Sequence, residues 1–248
     1  KIMHLDIQKI HPGPLTTMVK KLLLMDTAVY LNLSGDRLFS NSYIPSKDVA
    51  KVTYVDTKEV FEFANDEIPH IKMSFFAGQK LIDCLKYFDP HNLTGELHYY
   101  QDGDEYFAEK LIIKDHSLKI TLHCADVSLG FTTMSDTQID AAFGNDGELY
   151  SFHLSQELLN KLNNLITLDK NELFKIYSDD AGVHIAGDTY DIVVDDEKTA
   201  HHQEINLFKS FFSRIDKESY EISVCQNKLV MDSQDSATRI ALNLAIKA

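Results

Sequence analysis

One order of elements recurs four times along this chain: a strand, a short amphipathic helix, then three strands with tight turns between them. The last copy shows it most sharply. Across residues 207–217, Phe208, Phe211, Phe212 and Ile215 fall at the i, i+3, i+4, i+7 spacing of a single helix face. Lys209, Ser213, Arg214 and Lys217 fall on the other side. A strand-like run at 202–206 precedes this predicted helix. Strands at 220–225, 228–232 and 238–246 follow it, the first two joined by Gln226-Asn227.

In the first copy, residues 1–10 read as a half-buried strand with Ile2, Leu5, Ile7 and Ile10 apolar. His11-Pro12-Gly13-Pro14 ends it, and proline suits the first turn of the helix that follows. Leu15, Met18, Val19 and Leu22 form the inner face of that helix, with Thr17, Lys20 and Lys21 outside. Strands are predicted at 28–33, 37–43 and 49–55, with Ser34-Gly35-Asp36 as a hairpin turn. After a short run at 60–63, the second copy opens at 71–75. Its helix, 78–88, turns Leu81, Ile82, Leu85 and Phe88 inward and Lys80, Asp83, Lys86 and Tyr87 outward, and Asp89-Pro90 stops it. Strands at 93–101, 106–113 and 118–124 follow. The third copy has a strand at 149–154 and Ser155 as helix N-cap. Leu158, Leu162, Leu165 and Ile166 turn inward with Lys161 outside, and strands follow at 174–178, 183–186 and 190–194.

Residues 126–147 lack a period and end on Gly144-Asn145-Asp146-Gly147, which breaks any element. Two copies make a unit of ordinary domain size. The expected class is therefore α+β, with a first domain at 1–143 that includes the connector and a second at 144–248.

The formal net charge of −14 argues against a protein whose whole surface binds nucleic acid, but leaves room for a local basic strip. Cys84, Cys124 and Cys225 show no paired spacing and read as reduced intracellular thiols. No run is long and apolar enough for a membrane span and no signal peptide is visible, so a cytoplasmic location is expected. There is no phosphate-binding loop, no Gly-x-Ser-x-Gly and no His-Glu-x-x-His, and no cofactor or metal is expected. Two histidine groups invite a second reading. His201-His202 with Glu204 reads as a solvated loop, because adjacent residues on a strand face opposite ways. His91, His98 and His123 with acidic neighbours define the alternative, a metal-assisted α+β hydrolase.

Two βαβββ units per domain, repeated by domain, resemble the plan of the DNA polymerase sliding clamps. The run from Ser219 through Val224, Val230 and Arg239 to Leu244 resembles the closing strands of such a clamp, as does Tyr106-Phe-Ala-Glu-Lys-Leu-Ile-Ile-Lys-Asp in the first half. Length and domain count are most similar to the T-even-type phage clamps, which share the fold of proliferating cell nuclear antigen. The resemblance covers nearly the whole chain by topology and only patches of it by sequence.

It implies a non-enzymatic processivity factor for DNA replication, phage-encoded and acting in the host cytoplasm. Such a clamp puts its helices on one face, lining a central hole, and its sheets on the other. A ring that slides needs positive, non-specific contacts to phosphate. On these helices the DNA-facing residues are then Lys20, Lys21, Lys80, Lys86, Lys161, Lys209, Arg214 and Lys217. Two domains per chain imply a homotrimer, with edge strands 118–124 and 183–186 pairing between copies. The implied partners are double-stranded DNA, a DNA polymerase and a clamp loader. The proteins insert a hydrophobic tail near the connector, where Phe131, Met134, Ile139 and Phe143 supply apolar groups.

Overall fold

The computed structural model describes residues 1–126, 133–199 and 202–244. It divides into two units, Lys1–Ser42 with Val52–Thr133, and Tyr43–Lys51 with Met134–Ala248.

The first unit opens with β1 (Ile2–Ile10) and α1 (Pro12–Leu23), and continues through β2 (Val29–Leu33), β3 (Arg37–Tyr43) and β4 (Val49–Asp56). A one-turn helix α2 (Thr57–Val60) leads into the short β5 (Phe61–Phe63). The second motif is β6 (Ile71–Phe75), α3 (Gly78–Leu85), β7 (Thr94–Asp102), β8 (Glu105–Lys114) and β9 (Lys119–His123). The strands run β3-β2-β6-β8-β7-β1-β5, with β9 added to β8. Strand β7 is the spine, paired antiparallel with β1 through Leu5↔Leu97 and with β8 through Leu97↔Leu111. Gly95 is required there, since a Cβ would lie 2.4 Å from the Ile112 carbonyl oxygen. Helices α1 and α3 pack beside each other. Their apolar faces, Leu15, Met18, Val19 and Leu22 with Leu81, Ile82 and Leu85, join the strand core. Burial of such side chains supplies about 1.5–3 kcal/mol each.

In the second unit α4 (Asp136–Phe143) precedes β10 (Glu148–Leu154), α5 (Gln156–Leu165) and the strands β11 (Leu173–Asp179), β12 (Gly182–Ala186) and β13 (Asp191–Asp195). The last motif holds β14 (Ile205–Phe208), a 3-10 helix (Lys209–Arg214), β15 (Tyr220–Cys225), β16 (Lys228–Ser233) and β17 (Thr238–Asn243). One sheet runs β10-β15-β16-β17, and a four-stranded sheet has the order β13-β12-β11-β14. The Ser155 hydroxyl caps α5 by accepting from the Leu158 N–H at 3.2 Å.

The α+β class and the strand–helix–three-strand order are as the sequence implies. Four details differ. The last helix is one 3-10 stretch of six residues, not an α-helix over 207–217. Ile205 and Leu207 point inward and Phe208 outward, so the period of two claims them for β14. Phe211 and Phe212 are buried, and Phe212 packs on Phe174 at 4.7 Å between ring centroids. In α5 the buried face holds Leu159 rather than Leu158, because Leu159, Leu162 and Ile166 share one helical stripe. The connector contains α4, closed by a capping box. The Ser135 hydroxyl accepts from the Gln138 N–H at 3.3 Å, and the Gln138 side chain accepts from the Ser135 N–H at 2.9 Å. Strand β12 is interior, paired with β11 on one side and β13 on the other, so 183–186 has no edge to offer a second copy. No helix among the described residues is long and apolar enough to cross a membrane.

Candidate functional site

Three surfaces emerge from this framework. The first is basic and helical. Lys20 stands exposed in the last turn of α1, and Lys80 is exposed on the neighbouring α3. Lys86, just past the end of α3, is exposed and lies 2.7 Å from Asp83. That pair is solvated on both sides, which leaves the lysine available to a phosphate. Its contact holds the Asp83 carboxyl below the usual range, through hydrogen bonds from Lys86 and Gln79. In the second unit Lys161 is exposed on α5, and Lys217 is exposed after the 3-10 helix. The two segments are tied together, since Gln156 Nε2 donates to the Lys217 carbonyl at 2.6 Å.

Three of the eight basic residues do not stand free. Lys21 is 8% exposed and packs into the unit beneath α1, because its position follows the Met18–Leu22 stripe rather than the outer face. Lys209 donates to the Asp169 carbonyl at 3.1 Å and lies 3.7 Å from Glu172, which commits it to the loop before β11. Arg214 is half-buried in the last turn of the 3-10 helix.

The second surface is a cavity of about 250 Å³ within the second unit. Its apolar lining includes Met134, Ala141, Ala142 and Ala241, and Lys47, Gln138 and Asn243 stand among its polar groups. The turn that carries Lys47 holds that residue at φ +62°, an uncommon conformation for a side chain other than glycine. Asn243 secures this turn, donating from Nδ2 to the Lys47 carbonyl at 3.2 Å and from its N–H to the Asp48 carbonyl at 2.9 Å. On the other side Lys228 Nζ donates to the Ala141 carbonyl at 2.7 Å and Arg239 Nη2 donates to the Phe143 carbonyl at 3.3 Å, which docks α4. Of the four apolar connector residues, Met134 lines the cavity. Phe143 is buried beneath the Arg239 guanidinium, 5.2 Å from its ring centroid, and anchors α4 instead. Ile139 is half-buried and outside the lining, and Phe131 lies outside the described residues. Sequence reasoning missed the segment Tyr43–Lys51 and the alanines of α4. The one available signal for α4 was Ser135-x-x-Gln138 ahead of Ile139.

The third surface is a pair of open strand edges. Among the described residues β9 pairs only with β8, and β13 only with β12.

The histidine alternative finds no such site. His98 bonds Glu96 at 3.1 Å and stacks on His4, His91 is exposed beside Asp89, and His123 is exposed on β9. Among the described residues no group of three histidine, cysteine or carboxylate side chains is placed to hold a metal.

Solved structures superpose on this architecture over nearly its whole length. Proliferating cell nuclear antigen from Entamoeba histolytica matches at a TM-score of 0.68 and 13% identity, covering 98% of each chain. The chain has the sliding-clamp fold. A. fulgidus PCNA, solved with the C-terminal region of FEN-1 bound, matches this clamp-fold chain at 0.65 and 12% identity, over 98% of this chain and 99% of that one. The DNA polymerase III subunit beta of Pseudomonas aeruginosa matches at 0.60 and 13% identity, over 99% of this chain and 65% of that one. No protein-family model matches the sequence, and no curated protein matches it.

Proposed function

We propose that this chain is a sliding clamp: a non-enzymatic ring around duplex DNA that tethers a replicative polymerase. The observation that carries this reading is charge placement within that fold. A chain of net charge −14 exposes Lys20, Lys80, Lys86, Lys161 and Lys217 on or beside its helices. Lysines are suited to the task, being mobile point charges that release counterions from phosphate without fixing register on the bases. The acidic remainder repels DNA from the wrong surface.

The reading takes the two halves, 1–143 and 144–248, as two clamp domains, so that three copies supply a six-domain ring. Repetition supports how the copies meet. Strand β4 closes the first motif and β17 the fourth. The corresponding strands of the other two motifs are β13 and β9, each with one open edge. The 250 Å³ cavity at Met134 is the docking place for the apolar tail of a polymerase or clamp loader, as the peptide-bound PCNA relative suggests. Phage origin and action in the host cytoplasm stand as part of the same proposal.

Scattering from concentrated protein tests the ring, with a closed three-copy particle expected. Topological capture tests the function. Protein cross-linked on nicked circular DNA should survive high salt and leave only when the circle is cut. Release by salt alone from the intact circle refutes encirclement.

A further inference from the structure

Tyr87 is the most exposed of the large apolar side chains among the described residues, at 75%. The period that buries Leu81, Ile82, Leu85 and Phe88 puts it on the outer face of α3, four residues past Asp83 and seven past Lys80. It lies just beyond the helix, and its N–H still donates to the Cys84 carbonyl at 3.2 Å. The residues that follow fix this turn. Phe88 is buried in the strand core, and the Asp89 N–H donates to the Asp115 carboxylate at 3.2 Å. The Asp89 carboxylate in turn accepts the His91 N–H at 3.0 Å. A fixed backbone thus holds out an open ring.

Other exposed aromatic side chains are met by a neighbour. Tyr54 has the Arg37 guanidinium 4.6 Å from its ring centroid, and Phe208 meets Phe211 at 5.9 Å between centroids. Among the described residues no ring or cation is stacked on Tyr87. The charge around it is mainly positive. Lys80 and Lys86 are exposed on or beside α3, and Lys20 is exposed on α1, which packs next to it. The acid of the same stripe, Asp83, already accepts from Lys86 at 2.7 Å and from Gln79 at 3.1 Å. Lysine beside an open aromatic ring suits a phosphate beside an open base. Duplex DNA answers only half of that pairing, because its base faces are stacked inside and it offers backbone and base edges outward.

Resting on the ring reading above for which surface meets DNA, we propose that Tyr87 is a stacking platform for an unpaired base of single-stranded DNA, with Lys80 and Lys86 on the phosphates beside that base. The ligand is the single strand and not a particular sequence, because every base has a π-face to offer. Two kinds of contact then divide along one helix by their chemistry. The lysines alone serve duplex, and the lysines with Tyr87 serve a stretch that has lost its complement, such as the template ahead of a primer end. A ring with both contacts moves freely along duplex and dwells where the duplex stops.

Fluorescence anisotropy at low salt decides it, with a labelled linear oligothymidine and a labelled blunt hairpin duplex as the two probes. Tyr87→Ala should weaken oligothymidine binding about tenfold and leave duplex binding unchanged, while Tyr87→Phe, which keeps the ring, should bind both as the unsubstituted chain does. The exposed position of the ring lets either substitution leave the fold intact. Iododeoxyuridine placed within the oligothymidine should cross-link to Tyr87 on irradiation, as located by mass spectrometry. A chain that captures nicked circular DNA but whose oligothymidine affinity is the same in Tyr87→Ala, or whose affinities for both probes fall by one factor, overturns the platform and leaves the ring standing. A chain that binds neither probe and lets the circle go overturns the ring, and this platform with it.

Discussion

His184 sits on β12 between two carboxylates, with Nε2 at 2.9 Å from Asp179 and Nδ1 at 2.9 Å from Asp191. Tyr177 stacks on its ring and donates its hydroxyl to Asp191. Burial by itself would lower the His184 pKa. The hydrogen bonds and charges of Asp191 and Asp179 outweigh it, and the pKa stands above the ordinary 6.5. Both ring nitrogens donate only in the imidazolium form. A raised folded pKa gives stability that is complete below the unfolded value and is lost as pH rises through the folded one. Urea unfolding should therefore show stability declining from about pH 6 upward, and His184→Gln should flatten that limb. An unchanged slope would assign it to another group. A second residue effect concerns Lys51, which is fully buried with Nζ 2.9 Å from Asp216 Oδ2. Lys51→Met strands the aspartate as a lone buried charge and should cost about 3–5 kcal/mol, whereas Lys51→Met with Asp216→Leu should cost far less. Equal losses from the single and double variants in denaturant titrations would show that the stranded carboxylate is not the source of the cost.

Among the elements, α4 has little intrinsic support of its own. It is eight residues long and buries only Phe143, so its capping box and its bonds to Lys228 and Arg239 decide whether it forms. Ser135→Ala should remove about 1 kcal/mol of helix stability. Faster amide exchange across residues 136–143 is the direct readout. Because Gln138, Ala141 and Ala142 line the cavity, weaker binding of an apolar tail peptide should accompany it. Peptide affinity that holds while α4 frays would place the docking site elsewhere. The 3-10 helix follows a different logic. Its two inward phenylalanines hold it, and Phe208, 44% exposed, belongs to the strand before it.

In the proposed ring, the sum of charges should govern DNA affinity. Log affinity should fall linearly with log salt, and each lysine removed from a phosphate contact should reduce the slope by about 0.9. Alanine at Lys20, Lys80, Lys86 and Lys161 should thus flatten the salt dependence stepwise without changing sequence preference. Lys198→Ala, at an exposed site outside the helices, should leave the slope alone. A loss of slope at Lys198 equal to that at Lys86 would mean that DNA is held by general surface charge and not by the helices.

The sequence by itself determined the element order, the alternation that makes the strands and the inner faces of α1 and α3. These are local properties, set by side-chain periods of two and 3.6 and by the proline and glycine that interrupt them. Lys20, Lys80, Lys86 and Lys161 were legible as outer-face residues for the same reason. Only the tertiary structure decided that Lys21 is buried, that Lys209 bonds to Asp169, that β12 is enclosed and β13 open, and that Tyr43–Lys51 joins Met134 around one cavity. Each of these depends on which distant segment arrives alongside, a long-range packing outcome that no local period encodes.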